Sequence, residues 1–199
     1  MFGPTLYDCS KGDFPGKGGG DTVDHALIAY YSRSGQHYID GAFRYLETGC
    51  AEQAAHILHT LTGADLFRIE PVADYPTDYC RCIDQARQDI LRGVRPALKG
   101  MPQNLRQYDV ILLGYPNFWG TMPAPVCTFL GQADLAGKTV CPFCTHEGDG
   151  MGRSEQELKQ LCPAAKVLPG LPIRGSEIAF EMAAIRDWAE SIIRLGGSR

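Results

Sequence analysis

The stretch Val110-Ile111-Leu112-Leu113-Gly114-Tyr115-Pro116-Asn117-Phe118-Trp119-Gly120-Thr121 decides the fold. Its first half is an unbroken apolar run of strand length, read as a strand covered on both faces. Its second half turns polar, aromatic and glycine-bearing at once. Working outward, Ala26 to Tyr31 is a similar run ending in Ser and Gly. Leu66 to Ile69 is another, before Pro71; Thr139 to Thr145 and Lys166 to Leu168 complete the set. Between the runs lie apolar residues at helical spacing: 54, 57, 58 and 61; 79, 83, 86, 90 and 94; 126, 129 and 130, entered through Pro123 and Pro125; Glu155 to Leu161; and 178, 182, 185, 189 and 192. Strand and helix alternate five times. This predicts an α/β fold, a parallel sheet with helices on both faces. Such sheets bind ligands at the carboxyl ends of their strands, where the strand order reverses. Pro142 opposes its own strand, because it removes a ladder donor; a bulge or a locally unpaired position is expected there.

Composition narrows the function. At 199 residues with 44% apolar content, the chain is long enough for one packed domain, expected over 25–199. Residues 1–24 are Gly-rich without apolar period and read as a flexible arm. Lys+Arg 19 against Asp+Glu 23 gives −4, and no polybasic run marks a nucleic-acid partner. No apolar run approaches the roughly 20 residues of a membrane helix, and the N-terminus does not read as a secretory signal. The eight cysteines are therefore expected as reduced thiols in a cytoplasmic protein.

Three loops carry the chemistry. After the first strand, Ser32-Arg33-Ser34-Gly35 offers hydroxyls, backbone N–H groups and a cation, which suit a phosphate monoester. After the third, Pro116-Asn117-Phe118-Trp119-Gly120 offers aromatics placed to stack on a flat ligand. After the fourth, Thr145-His146-Glu147-Gly148-Asp149-Gly150 offers a backbone that can approach closely. The ligand so described is planar, aromatic and singly phosphorylated. FMN fits; a dinucleotide fits less well, since no G-x-G-x-x-G follows the first strand.

The segments Ala29 to Gly35, Gly114 to Gly120 and Pro142 to Gly148 resemble those of flavodoxins and flavodoxin-like FMN proteins. The resemblance implies a three-layer, five-stranded sheet of order 2-1-3-4-5 and non-covalent FMN. It implies phosphate contacts from the first loop and from Gly49, Cys50 and Ala51, ring stacking by Trp119, and ring contacts from residues 145–150. The Trp119-Gly120 peptide is expected near flavin N5, with a Gly carbonyl able to swing toward it, and Glu147 and Asp149 are expected to place negative charge near the ring. Electron transfer with redox partner proteins is the implied function. An FMN-dependent NAD(P)H or quinone reductase, or a degenerate fold without FMN serving as an interaction module, are the alternatives.

Two departures stand out. The family runs from Ser/Thr-Gly directly into Asn-Thr, whereas here residues 36–48 intervene, with Asp40-Gly41 between apolar residues as a hairpin signature. Cys50-Ala51 then stands in place of Asn-Thr, which removes a hydroxyl donor to the phosphate. At a helix N-terminus, Cys50 reads either as a thiol of lowered pKa in the FMN-free protein or as a buried, inert Cys that packs the loop. Cys141 and Cys144 lie three apart on a strand, so their sulfurs point to opposite faces and no redox pair is expected. Cys80 and Cys82 diverge on a helix, which argues against zinc. His56 and His59 are expected to be solvated, and Trp188 to pack in the core.

Overall fold

The structure is a computed structural model that describes residues 25–196; the expected arm lies outside the described residues. In chain order the elements are β1 (Ala26–Tyr30), β2 (Gly35–Ile39), β3 (Ala42–Leu46), α1 (Cys50–Thr62), β4 (Asp65–Arg68), α2 (Tyr79–Arg92), β5 (Val110–Pro116), α3 (Ala124–Gln132), β6 (Thr139–His146), α4 (Ser154–Leu161), β7 (Lys166–Val167), β8 (Leu171–Arg174) and α5 (Met182–Gly196). The main sheet runs β4-β1-β5-β6, with β7 and β8 both beside β6, and every pair in it is parallel. The chain crosses from β1 to β4 on one side and returns to β5 on the other. The order therefore reverses between β1 and β5, and a crevice opens above their carboxyl ends.

The fifth strand position is shared. β7 pairs with Thr139 and Val140, and β8 with Phe143 to His146. β8 was not foreseen, because Pro169, Gly170 and Pro172 make that stretch read as loop. An edge strand tolerates Pro172. The same break accommodates Pro142. Val140 turns its carbonyl to the Leu168 N–H, so the missing Pro142 donor, two residues on, also faces that side, where neither β7 nor β8 pairs. No bulge is needed.

Period-two alternation divides the strands between two cores. Leu27, Ala29, Ile111, Leu113, Val140 and Cys144 pack on one face with Ala86, Phe129 and Leu158. Ala26, Ile28, Leu112, Cys141 and Phe143 pack on the other with Ala54, Leu58, Ile185 and Ala189. Cys141 and Cys144 thus lie in separate layers. Trp188 packs edge-on against Phe143 at 6.2 Å. His56 and His59 are both exposed, as expected, and the His59 Nδ1 lies 2.7 Å from the Ala64 carbonyl. Among the described residues no group of side chains could hold a metal ion, and no helix is long and apolar enough to cross a membrane.

β2 and β3 form a hairpin outside the main sheet. Asp40 and Gly41 take φ of +50° and +74°, the positive pair of a primed two-residue turn. Tyr38 and Phe43 pack on Tyr79 at the start of α2, at ring separations of 6.0 and 5.6 Å. The Gln36 N–H donates to the Thr77 carbonyl at 2.8 Å, which fixes the hairpin base.

Candidate functional site

The three loops converge on one cavity of about 440 Å³ above the switch point. Ser32, Arg33, Cys50 and Ala51 line one end. Pro116, Asn117, Phe118 and Trp119 come from the loop after β5, and Thr145 to Asp149 from the loop after β6. Ser34, Gly35, Gly49, Gly120 and Gly150 do not line the cavity. Ser34 faces a smaller cleft with Arg68 and Asp74. Gly49 serves packing, because a Cβ there would collide with the Arg33 carbonyl and the Ser32 hydroxyl.

The start of α1 supplies donors. The N–H groups of Glu52 and Gln53 both go to the Gly49 carbonyl, and Cys50 and Ala51, the first residues of α1, line the cavity. Arg33 behaves differently from a free phosphate cation. Its Nη1 donates to the Gln36 carbonyl at 2.9 Å, and its Nη2 to those of Pro76 and Thr77 at 3.1 and 2.9 Å. The guanidinium thus ties the hairpin to the α2 approach. Its Nε remains buried without a partner, as does Nδ1 of His146, another lining residue.

Of the two readings of Cys50, the structure agrees with the buried thiol and not the activated one. Burial, helped by the charge of Glu147, pushes its thiol up to about 11. The helix N-terminus does not win against desolvation here.

The two aromatics after β5 have separate duties. Phe118 meets Tyr31 and Tyr75 edge-on at 6.4 and 5.8 Å, so it closes the core as well as lining the cavity. Trp119 is 47% exposed. It takes φ +55°, and Gly120 takes φ +76°, while Phe118 and Thr121 exchange both main-chain hydrogen bonds around them. A left-handed Trp costs about 1–2 kcal/mol, and such strain concentrates at binding sites. The indole N–H donates to the Ile83 carbonyl at 2.8 Å, and Arg87 lies 5.4 Å over the ring. α2 thereby fixes the ring at the cavity wall. The expected swing of a Gly120 carbonyl has no support: that oxygen takes the Arg153 N–H at 2.9 Å, and the Gly120 N–H goes to Asn117 Oδ1 at 2.8 Å.

Residues missed in the sequence complete the wall. His37, Tyr38 and Ile39 come from the hairpin, Tyr79, Cys82 and Ile83 from α2, and Gly175 from the end of β8. Burial and the neighbouring Arg33 lower the His37 pKa to about 4, so its ring is neutral. Its Nε2 lies 3.2 Å from the Arg33 carbonyl, to which it can only donate, and Nδ1 is left as an acceptor.

Comparison with known proteins agrees with this architecture. A family model described as flavodoxin matches residues 41–192. A Bacteroides eggerthii protein described as a flavoprotein is 29% identical, with 85% of this chain and 98% of that one covered, at a TM-score of 0.67. A Bacteroides uniformis protein of the same description is 24% identical over 85% and 99%, also at 0.67. A Lactobacillus acidophilus flavoprotein solved in complex with FMN is 20% identical over 79% and 97%, at 0.59. The last two likenesses speak for the fold. No curated protein matches the sequence.

Proposed function

The chain belongs to the flavodoxin family, and from that premise we propose that it binds FMN non-covalently in this cavity and carries electrons between redox proteins. One observation carries the reading: three separate loops, together with Cys50 and Ala51 at the N-terminus of α1, line a single cavity at the switch point. The residues fit the cofactor. Ser32 and the amide pair suit a phosphate, the unpartnered Arg33 Nε and His146 Nδ1 await polar ligand atoms, and Trp119 gives a flat ring a wall.

Bound there, FMN would supply one- and two-electron transfer. The chain's own residues bind and orient it. The α1 terminus attracts the phosphate through its amides and dipole. Neutral His37 accepts a hydrogen bond through Nδ1. Phe118, packed on Tyr31 and Tyr75, excludes water on its side of the cavity. The free described cysteines fit a reducing, cytoplasmic setting.

A reductase acting on a small planar substrate is the second reading. Tyr38 and Trp119 both line the cavity and stay half-exposed, which leaves an aromatic-sided mouth for another ring. Flavin absorbance of the purified protein and an FMN titration test the cofactor. Sustained NAD(P)H oxidation by the loaded protein would favour the reductase. A chain that binds no FMN would leave the fold as an interaction module.

A further inference from the structure

A carboxylate stands at the end of the cavity where the proposed ligand brings its own negative charge. Glu147 Oε1 accepts the Ser176 N–H at 2.9 Å, and Oε2 accepts the Asp40 N–H at 3.4 Å. The hairpin tip and the segment after β8 therefore hold this side chain against the start of α1. A Cβ on Gly175 would lie 2.9 Å from Glu147 Oε1 and 3.0 Å from Cys50 Sγ, so carboxylate and thiol flank one small space. No cation pairs with the carboxylate among the described residues. Arg174 donates to the Glu147 main-chain carbonyl at 3.4 Å and pairs with Glu177, while Arg33 is committed to three carbonyls.

We propose that Glu147 is a specificity-determining residue that discriminates between flavins by the charge at the ribityl end, holding back the phosphorylated form relative to the unphosphorylated one. This rests on the FMN reading above. The Cys50 and Ala51 amides attract a phosphate, and an unpaired carboxylate a few ångström away repels it. Ala51 has no hydroxyl to offset that repulsion. At the effective dielectric of a half-buried site, such a pair changes affinity by about tenfold or more. Riboflavin, neutral at the same end, is indifferent to it. Glu147 lies beside Cys50 at the start of α1, where both approach Gly175.

The test titrates the full chain, freed of flavin, with FMN and with riboflavin, read by flavin fluorescence. Glu147→Gln and Glu147→Ser remove the charge, and Gln keeps an oxygen for the Ser176 N–H. Glu147→Asp keeps the charge with a shorter reach. The uncharged variants should tighten FMN by about tenfold and leave riboflavin within about twofold. The Asp variant should keep the wild-type ratio of the two affinities. Thermal melts identify any variant that fails to fold, and the other uncharged variant then carries the comparison. Equal shifts for both flavins, or none, overturn the role of Glu147. A wild-type chain that binds neither flavin overturns the FMN reading, and this inference with it.

Discussion

Asn117 and Gly150 join the two loops that face each other across the top of the sheet: the Asn117 Nδ2 donates to the Gly150 carbonyl at 2.9 Å. The same side chain takes the Gly120 N–H on Oδ1 at 2.8 Å, and its own N–H reaches the Thr145 carbonyl at 2.8 Å. One residue therefore sets both the shape of the loop after β5 and its distance from the loop after β6.

Asn117→Ala should loosen both loops together. Two main-chain groups lose their partner, at a cost of about 1–3 kcal/mol in stability. FMN affinity should fall with it. Urea denaturation and FMN titration measure the two effects. An Asn117→Asp variant keeps the Gly120 acceptor but turns a carboxylate oxygen toward the Gly150 carbonyl, so the link between the two loops should be lost while the turn at Gly120 survives.

Trp119→Ala should weaken FMN by roughly three- to tenfold, the worth of one aromatic stack. Trp119→Phe should weaken it less, because the ring survives while the bond to Ile83 is lost. Titration by fluorescence separates the two. Unchanged affinity in both variants would remove Trp119 from the ligand's wall.

Ala51→Thr should tighten FMN, since a hydroxyl at the start of α1 adds a donor to a charged acceptor. Such a bond is worth about 1.5–3 kcal/mol, or roughly tenfold and more in affinity. A titration showing a loss instead would mean that the buried position has no room for the extra methyl.

The fold was legible where the signal is local. The apolar runs of β1, β5 and β6 announce strands buried on both faces, and Asp40-Gly41 announces its turn. β8 was hidden because prolines mask an edge strand whose existence depends on β6 beside it. The site was legible wherever its residues follow a strand. Tyr79, Cys82 and Ile83 reach the cavity only through the crossover that lays α2 against β2 and α3, and no local pattern reveals that. Arg33 misled for the same reason: its carbonyl partners at Pro76 and Thr77 lie more than forty residues away.

Cys50 should label slowly. Its thiol is pushed up to about 11 from 9.0, so at pH 8 little thiolate forms. Iodoacetamide with mass-spectrometric assignment should mark exposed Cys80 well before Cys50. A folded-state pKa above the unfolded value favours the neutral thiol. This contribution to stability is whole below pH 9 and is lost as pH rises toward 11. Fast labelling of Cys50 at pH 8 would overturn the assignment.

Cys141 and Cys144 sit three residues apart on β6, yet each is sealed in a different layer, at 1% and 0% exposure. The molecule thus carries a thiol in each of its two interiors, on a single strand they share. Their exchange with a thiol reagent in mild denaturant reports two opening free energies rather than one. Equal values would mean that the layers melt as a unit. Unequal values would name the layer that lets go first, without any residue having been changed to find out.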